Sequence, residues 1–163
     1  MSEMFSRPSK ESHEGTIHYE ARMLHVAAEW IRTKAKTTDQ QEVEAIVYQE
    51  CFLLHYRNLA QFLSGKGGRS GDLKITNYKR WSNKQLTQEQ VTKVTELAAA
   101  AYRDHCGDIS TYLSHCTKKR YEQGKGWEWP KMLSAIEPAI KAFENLFPPR
   151  QIQEGSVEFE KQP

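Results

Sequence analysis

No stretch of this chain is long and apolar enough to span a bilayer, and its first fourteen residues are polar, with no apolar signal core. These two absences predict a cytoplasmic protein with no membrane partner. Cysteine is scarce: Cys51, Cys106 and Cys116 do not suggest a disulfide framework. Metal-ligand spacings of the CxxC or HxxxH kind are missing. His105-Cys106 and His115-Cys116 look like a paired ligand set. In one continuous helix, ten residues separate them by ~15 Å of rise and ~280° of rotation, so they cannot share an ion. No serine sits in a GxSxG elbow. The glycine-rich stretch Ser64 to Gly71 follows a helix and lacks P-loop spacing, so it reads as a flexible loop. No metal and no cofactor are expected. Strand-like alternation and internal repeats are also absent.

What the chain does have is helical pattern. With 163 residues, 38% hydrophobic and 27% charged, it fits one domain with a proper core. A first helix is expected over residues 16–36, where Ile17, Ala21, Leu24, Ala28 and Ile31 form one stripe. Asp39 followed by Glu42 resembles a capping box, and the second helix runs from there to about Ser64. Thr87 with Gln90 looks like another cap, opening a third helix to about His105. Gly107-Asp108 reads as a break before a fourth helix over residues 109–121. Pro130 suits the first turn of a fifth, striped by Leu133, Ile136, Ile140, Phe143 and Phe147, with a kink at Pro138. The expectation is an all-α, single-domain, up-down bundle of about five helices over residues 16–147. Disordered tails are expected at 1–15 and 148–163.

The second helix is apolar on nearly all sides, as a central helix would be. A helical wheel at ~100° per residue places Val43, Val47, Cys51, Leu54 and Phe62 on one face, with Glu50, Arg57, Asn58 and Gln61 inside or beside that arc. His55 lies at the arc's edge, and Phe52, Leu53 and Leu59 cover the back. Cys51 reads as a small core residue. Buried charge is costly unless it is paired or used, so Glu50, Arg57 and Asn58 are either a structural network or a site. Arginine with histidine suits RNA cleavage: an imidazole moves the 2′-hydroxyl proton and a guanidinium stabilises the charged phosphorus centre. The same residues also serve as helix-to-helix braces.

Net charge is only +2, too small to announce a nucleic-acid binder. Its distribution is uneven. Lys66, Arg69, Lys74, Lys79, Arg80 and Lys84 face a single acid, Asp72, in their segment. Lys118, Lys119, Arg120, Lys125 and Lys131 outnumber Glu122 and Glu128 in theirs. Two such segments brought together would hold phosphate; apart, they are solvated charged loops.

The run Glu50, Leu54, His55, Arg57, Asn58, Leu59, Phe62 and Leu63 is similar to a motif of a family of small uncharacterised bacterial helical proteins. Asp72 with Tyr78 and Trp81 resembles that family's acidic–aromatic connector, and Ile109, Leu113, His115, Thr117 and Arg120 resemble a later helix. Trp127, Trp129 and Pro130, with the stripe to Phe147, resemble its last helix. The resemblance spans about residues 17–147 and, more loosely, extends to HEPN domains. It implies a helical bundle, often a homodimer, acting as a binding or structural module in bacterial defence or toxin–antitoxin settings. Many HEPN domains carry an Arg-x4–6-His motif. Here only Arg7 and His13 have that spacing, and they lie in the N-terminal tail. Two readings follow. One is a binding module in which Glu50, Asn58, Lys118, Lys119 and Arg120 hold RNA or another anionic ligand. The other is a metal-independent endoribonuclease that uses Arg57 with His115, or His55, as catalysts.

Overall fold

The computed structural model describes residues 13–34, 39–69, 71–80, 85–114 and 126–149. They form four α-helices and one 3-10 segment, with no strand among the described residues. Helix α1 is His13–Lys34, α2 is Asp39–Ser64, α3 is Gln88–Ser114 and α4 is Trp129–Leu146; the 3-10 segment is Ile75–Arg80. No described helix is long and apolar enough to cross a membrane.

Neighbours in sequence are neighbours in space. Helix α1 packs mainly on α2, α2 on α3 and α3 on α4, and α4 closes back on α1 and α2. Helices adjacent in sequence run antiparallel, and α2 and α4, whose last turns meet, run parallel. Trp30 near the end of α1 stacks flat on Tyr48 near the start of α2, with ring centroids 4.4 Å apart. At the opposite end of the bundle, Phe62 of α2 meets Phe143 of α4 edge to face. His25 of α1 reaches Glu137 of α4 at 2.9 Å. Antiparallel neighbours taken in chain order make an up-down arrangement.

The core comes from one stripe per helix. Ile17, Ala21, Leu24, Ala27 and Ala28 of α1 are buried, as are Val91, Val94, Ala98, Ala101, Cys106 and Ile109 of α3. Helix α4 contributes Met132, Ile136, Ala139, Ile140 and Phe143. Alanine at 21, 27, 28, 60, 98, 101 and 139 keeps the stripes thin enough for close helix approach. The α3 start is a reciprocal cap: the Gln90 amide donates to Thr87 Oγ1 at 3.2 Å, and the Thr87 amide donates to Gln90 Oε1 at 2.9 Å.

Two expectations change. First, the expected third and fourth helices are one: α3 runs through Gly107 without a break. Gly107 is exposed and has helical neighbours on both sides that bury Cys106 and Ile109 in the same core. Packing on either side of the glycine outweighs its weak helix propensity. Helix α4 carries Pro138 within its span, with the ring on the exposed face. Second, the inward face of α2 is the reverse of the expected one. Phe52, Leu53, Tyr56, Leu59, Ala60 and Leu63 are fully buried, whereas Val47 is 59% and Leu54 40% exposed. The helix is apolar all round, so its pattern does not choose a face; α1 and α3 choose it. Helix α1 also starts three residues before the expected Thr16. The expected tails over 1–12 and 150–163 lie outside the described residues.

The stretch after α2 is an ordered turn built from glycine. Gly65, Gly67 and Gly68 all have positive φ, between 67° and 72°. Gly65 ends α2 with its amide on the Phe62 carbonyl at 3.1 Å, a left-handed C-cap. A Cβ on Gly67 would lie 2.9 Å from the Tyr102 hydroxyl, and one on Gly68 2.5 Å from Asp72 Oδ2. Asp72 in turn accepts the Arg69 amide, and its own amide donates to the Arg69 carbonyl at 3.1 Å. Ile75, fully buried, anchors the segment that follows.

The glycines therefore differ in sign. Gly68→Ala is expected to destabilise the fold by about 1–3 kcal/mol, because it combines a strained backbone with a clash. Gly107→Ala meets open space in mid-helix and is expected to stabilise by about 0.5–1 kcal/mol. Thermal or urea melts of the two variants check both signs.

Candidate functional site

Where α1 and α2 lie side by side near the glycine turn, a cleft of about 400 Å³ opens. Thr16, Ile17 and Glu20 line it from α1, and Arg57, Asn58, Gln61 and Phe62 from α2. Lys66, Gly67, Gly68, Asp72, Leu73 and Lys74 close its third side. The polar arc of α2 that reads as buried is the arc that faces this cleft. Reversal of the helix face thus turns a candidate core network into a candidate site. Arg57 and Asn58 are half-buried here, not sealed in the core.

The wall of the cleft is held by one carboxylate. Glu20 Oε2 lies 2.7 Å from Nδ1 of His55 and accepts the Asn58 side-chain amide at 3.1 Å. His55 is 7% exposed and its ring packs edge-on against Tyr19. Burial works against charge on the ring. The Cys51 sulfur one turn earlier and the Glu20 carboxylate favour the imidazolium and outweigh it, so the pKa rises to about 9. At neutral pH His55 is a cation that offsets the charge of Glu20. Of the two raising influences, the Glu20 contact at 2.7 Å has the stronger physical basis.

The cleft carries charge of both signs. Arg57, Lys66 and Lys74 line it, against Asp72 and a Glu20 already matched by His55. Arg57 also acts toward α3, where its charge partly counters the burial that pushes the Cys106 thiol up to about 12. Gly67 and Gly68 expose backbone beside these cations. Among the described residues, neither of their amides is taken up by a hydrogen bond. Such amides in left-handed turns are suited to anions. The floor is apolar, from Ile17, Phe62 and Leu73.

Of the residues singled out in the sequence, Arg57 and Asn58 meet in the cleft. His55 supports its wall from the buried side. Glu50 is half-buried two turns up α2, between exposed Val47 and Leu54, and does not line the cleft. His115, Lys118, Lys119 and Arg120 lie outside the described residues. Gln61, Lys66 and Lys74, read in the sequence as part of the α2 arc and of a basic segment, complete the cleft together with Glu20, which was no candidate. Glu20 carried a signal: it stands four residues before Leu24 and seven before Ala27, an acid within the apolar stripe of α1. No group of three His, Cys, Asp or Glu side chains able to hold a metal occurs among the described residues. Compared with protein-family models, curated proteins and solved structures, the chain matches none.

The His55–Glu20 pair fixes a pH dependence. The folded pKa lies above the unfolded value of 6.5, so the stabilisation is complete below about pH 6.5 and is lost as pH rises through about 9. A loss of roughly 2–3 kcal/mol is expected between neutral pH and pH 10. Melts across that range check it, and His55→Gln should remove the slope. Glu20→Ala leaves His55 without its carboxylate and is expected to cost about 3–5 kcal/mol at pH 7.

Proposed function

We propose that this protein is a binding module, a helical bundle of HEPN-like character, that takes an anionic ligand in the α1–α2 cleft. The observation that carries the reading is the convergence of Arg57, Asn58, Lys66, Lys74 and the Gly67–Gly68 backbone on one concave surface with an apolar floor. Pockets that combine an apolar lining with a few convergent polar groups are the usual small-ligand sites. Arginine and glycine amides together suit a phosphate-type group, which accepts several donors at once.

The endoribonuclease reading, with Arg57 and His115 as catalysts, shares Arg57 with this one. It also needs a histidine that gives and takes a proton near neutrality. His55 does not meet that need, because the Glu20 pair keeps it protonated. His115 lies outside the described residues, and we favour binding because it needs only side chains that the cleft brings together. A homodimer belongs to the same proposal. Ile46, Val47 and Leu54 leave an apolar strip exposed along α2, the kind of surface a second copy covers. A bacterial defence or toxin–antitoxin setting is part of the proposal through the family resemblance alone.

Isothermal titration with inorganic phosphate as the probe tests the site. Wild type is expected to bind, with affinity falling as salt is raised. Arg57→Ala should weaken binding at least tenfold, and Arg57→Lys, which keeps the charge, should weaken it less. Absence of phosphate binding by wild type would sink the proposal.

A further inference from the structure

Helices α1 and α4 meet along two rungs of like composition. His25 pairs with Glu137; seven residues before His25 stands His18, and seven after Glu137 stands Glu144, whose charge acts on His18. Equal steps in opposite chain directions keep the rungs level on antiparallel helices. They are built differently. His25 is exposed: its Nε2 lies 2.9 Å from Glu137 Oε2 and its Nδ1 2.7 Å from the Ala21 carbonyl. Lys141 reaches the other Glu137 oxygen at 3.5 Å. His18 turns its ring into the seam, against Phe143, with ring centroids 5.7 Å apart. Both of its nitrogens are shut off from solvent, and neither has a hydrogen-bond partner among the described residues. A neutral imidazole strands one N–H there, whereas a protonated one strands two and a charge. Burial accordingly holds the pKa of His18 below the usual 6.5, against Glu144, the Phe147 backbone and Glu14, which favour the charged ring. The Phe147 backbone does so without completing a hydrogen bond. From α2 the seam receives the uncharged Phe62 ring, on Phe143.

Helix α4 packs mainly on α3, and its last turn reaches α1 and α2 through the rings of His18, Phe143, Phe62 and Phe147. We propose that the α1–α4 seam is an acid-released clasp: while His18 is neutral the last turn of α4 stays shut on α1, and a proton on His18 frees that turn while the His25–Glu137 rung holds. A charged ring between Phe143 and α1 finds relief only in water or in a closer approach to Glu144, and either requires the seam to part. At the other rung, Glu137 is already in place to meet a proton on His25. Neutral His18 stabilises the seam fully above about pH 6.5, and that contribution is lost as pH falls through the lowered folded value. His55 does not mask this loss, because its own contribution is constant below about pH 6.5. Local openings of this kind are drawn from the less extensively packed parts of a fold.

Two NMR measurements on the full chain test the clasp together. Ring nitrogen shifts follow the protonation of His18, and amide protection factors, corrected for the intrinsic pH dependence of exchange, follow the opening of α4. In wild type His18 is expected to titrate below 6.5, and through that titration the amides of residues 143–147 should lose protection about tenfold while those of residues 133–137 keep theirs. His18→Leu, which fills the seam without a titrating group, should abolish the step. Should that variant not fold, Glu144→Gln, which removes a charge favouring the protonated ring, should move the step to lower pH. A His18 that titrates at or above 6.5 would overturn the proposal. So would an α4 end that stays protected throughout, a loss of protection spread evenly over the bundle, or a step that persists unmoved in the variant measured.

Discussion

The contact on which the rest depends is the pair between Glu20 of α1 and His55 of α2, 2.7 Å apart at the edge of the core. It joins the two helices at the level where they must stay in register for the cleft to exist. Apolar packing alone, alanine against leucine, sets the distance between α1 and α2 but tolerates sliding; a charged pair with Asn58 as a second donor does not. The register it sets puts Arg57 and Gln61, two and six residues beyond His55, opposite Thr16 and Ile17. The stack of Trp30 on Tyr48 holds the other end of the same helix pair.

The fold class was readable because α1, α3 and α4 each carry a single apolar stripe, and such stripes have one way to be buried. The reciprocal Thr87–Gln90 cap and the Pro130 start of α4 were readable for the same local reason: each involves residues within one turn of one another. Helix α2 was not readable in this way. With Ile46, Val47 and Leu54 on one side and Phe52, Leu53 and Leu59 on the other, its pattern nearly cancels around the axis. Only the two neighbours that flank it decide which side is inside. Gly107 failed as a break because a mid-helix glycine costs less than the burial of Cys106 and Ile109 contributes.

The site was half legible for a related cause. Arg57 and Asn58 stood out because polar groups in an apolar helix are conspicuous. Glu20, which holds Asn58 and His55, sits thirty-five residues before His55, on another helix, and acquires meaning only when α1 and α2 are side by side. The glycine stretch looked like slack chain, since glycine is as common in loose linkers as in tight turns. Its order follows from the positions of Thr76, Tyr102 and Asp72, each pressed against a place where a side chain would otherwise start.

That turn also shapes how the protein can change over generations. Its conformation is set by Gly65, Gly67 and Gly68 and by the Thr76, Tyr102 and Asp72 side chains that meet them. Lys66 and Arg69, interleaved with them, are exposed. Charge at the rim of the cleft can therefore be exchanged residue by residue while the turn keeps its shape. A lineage could retune what the cleft accepts without passing through an unfolded ancestor.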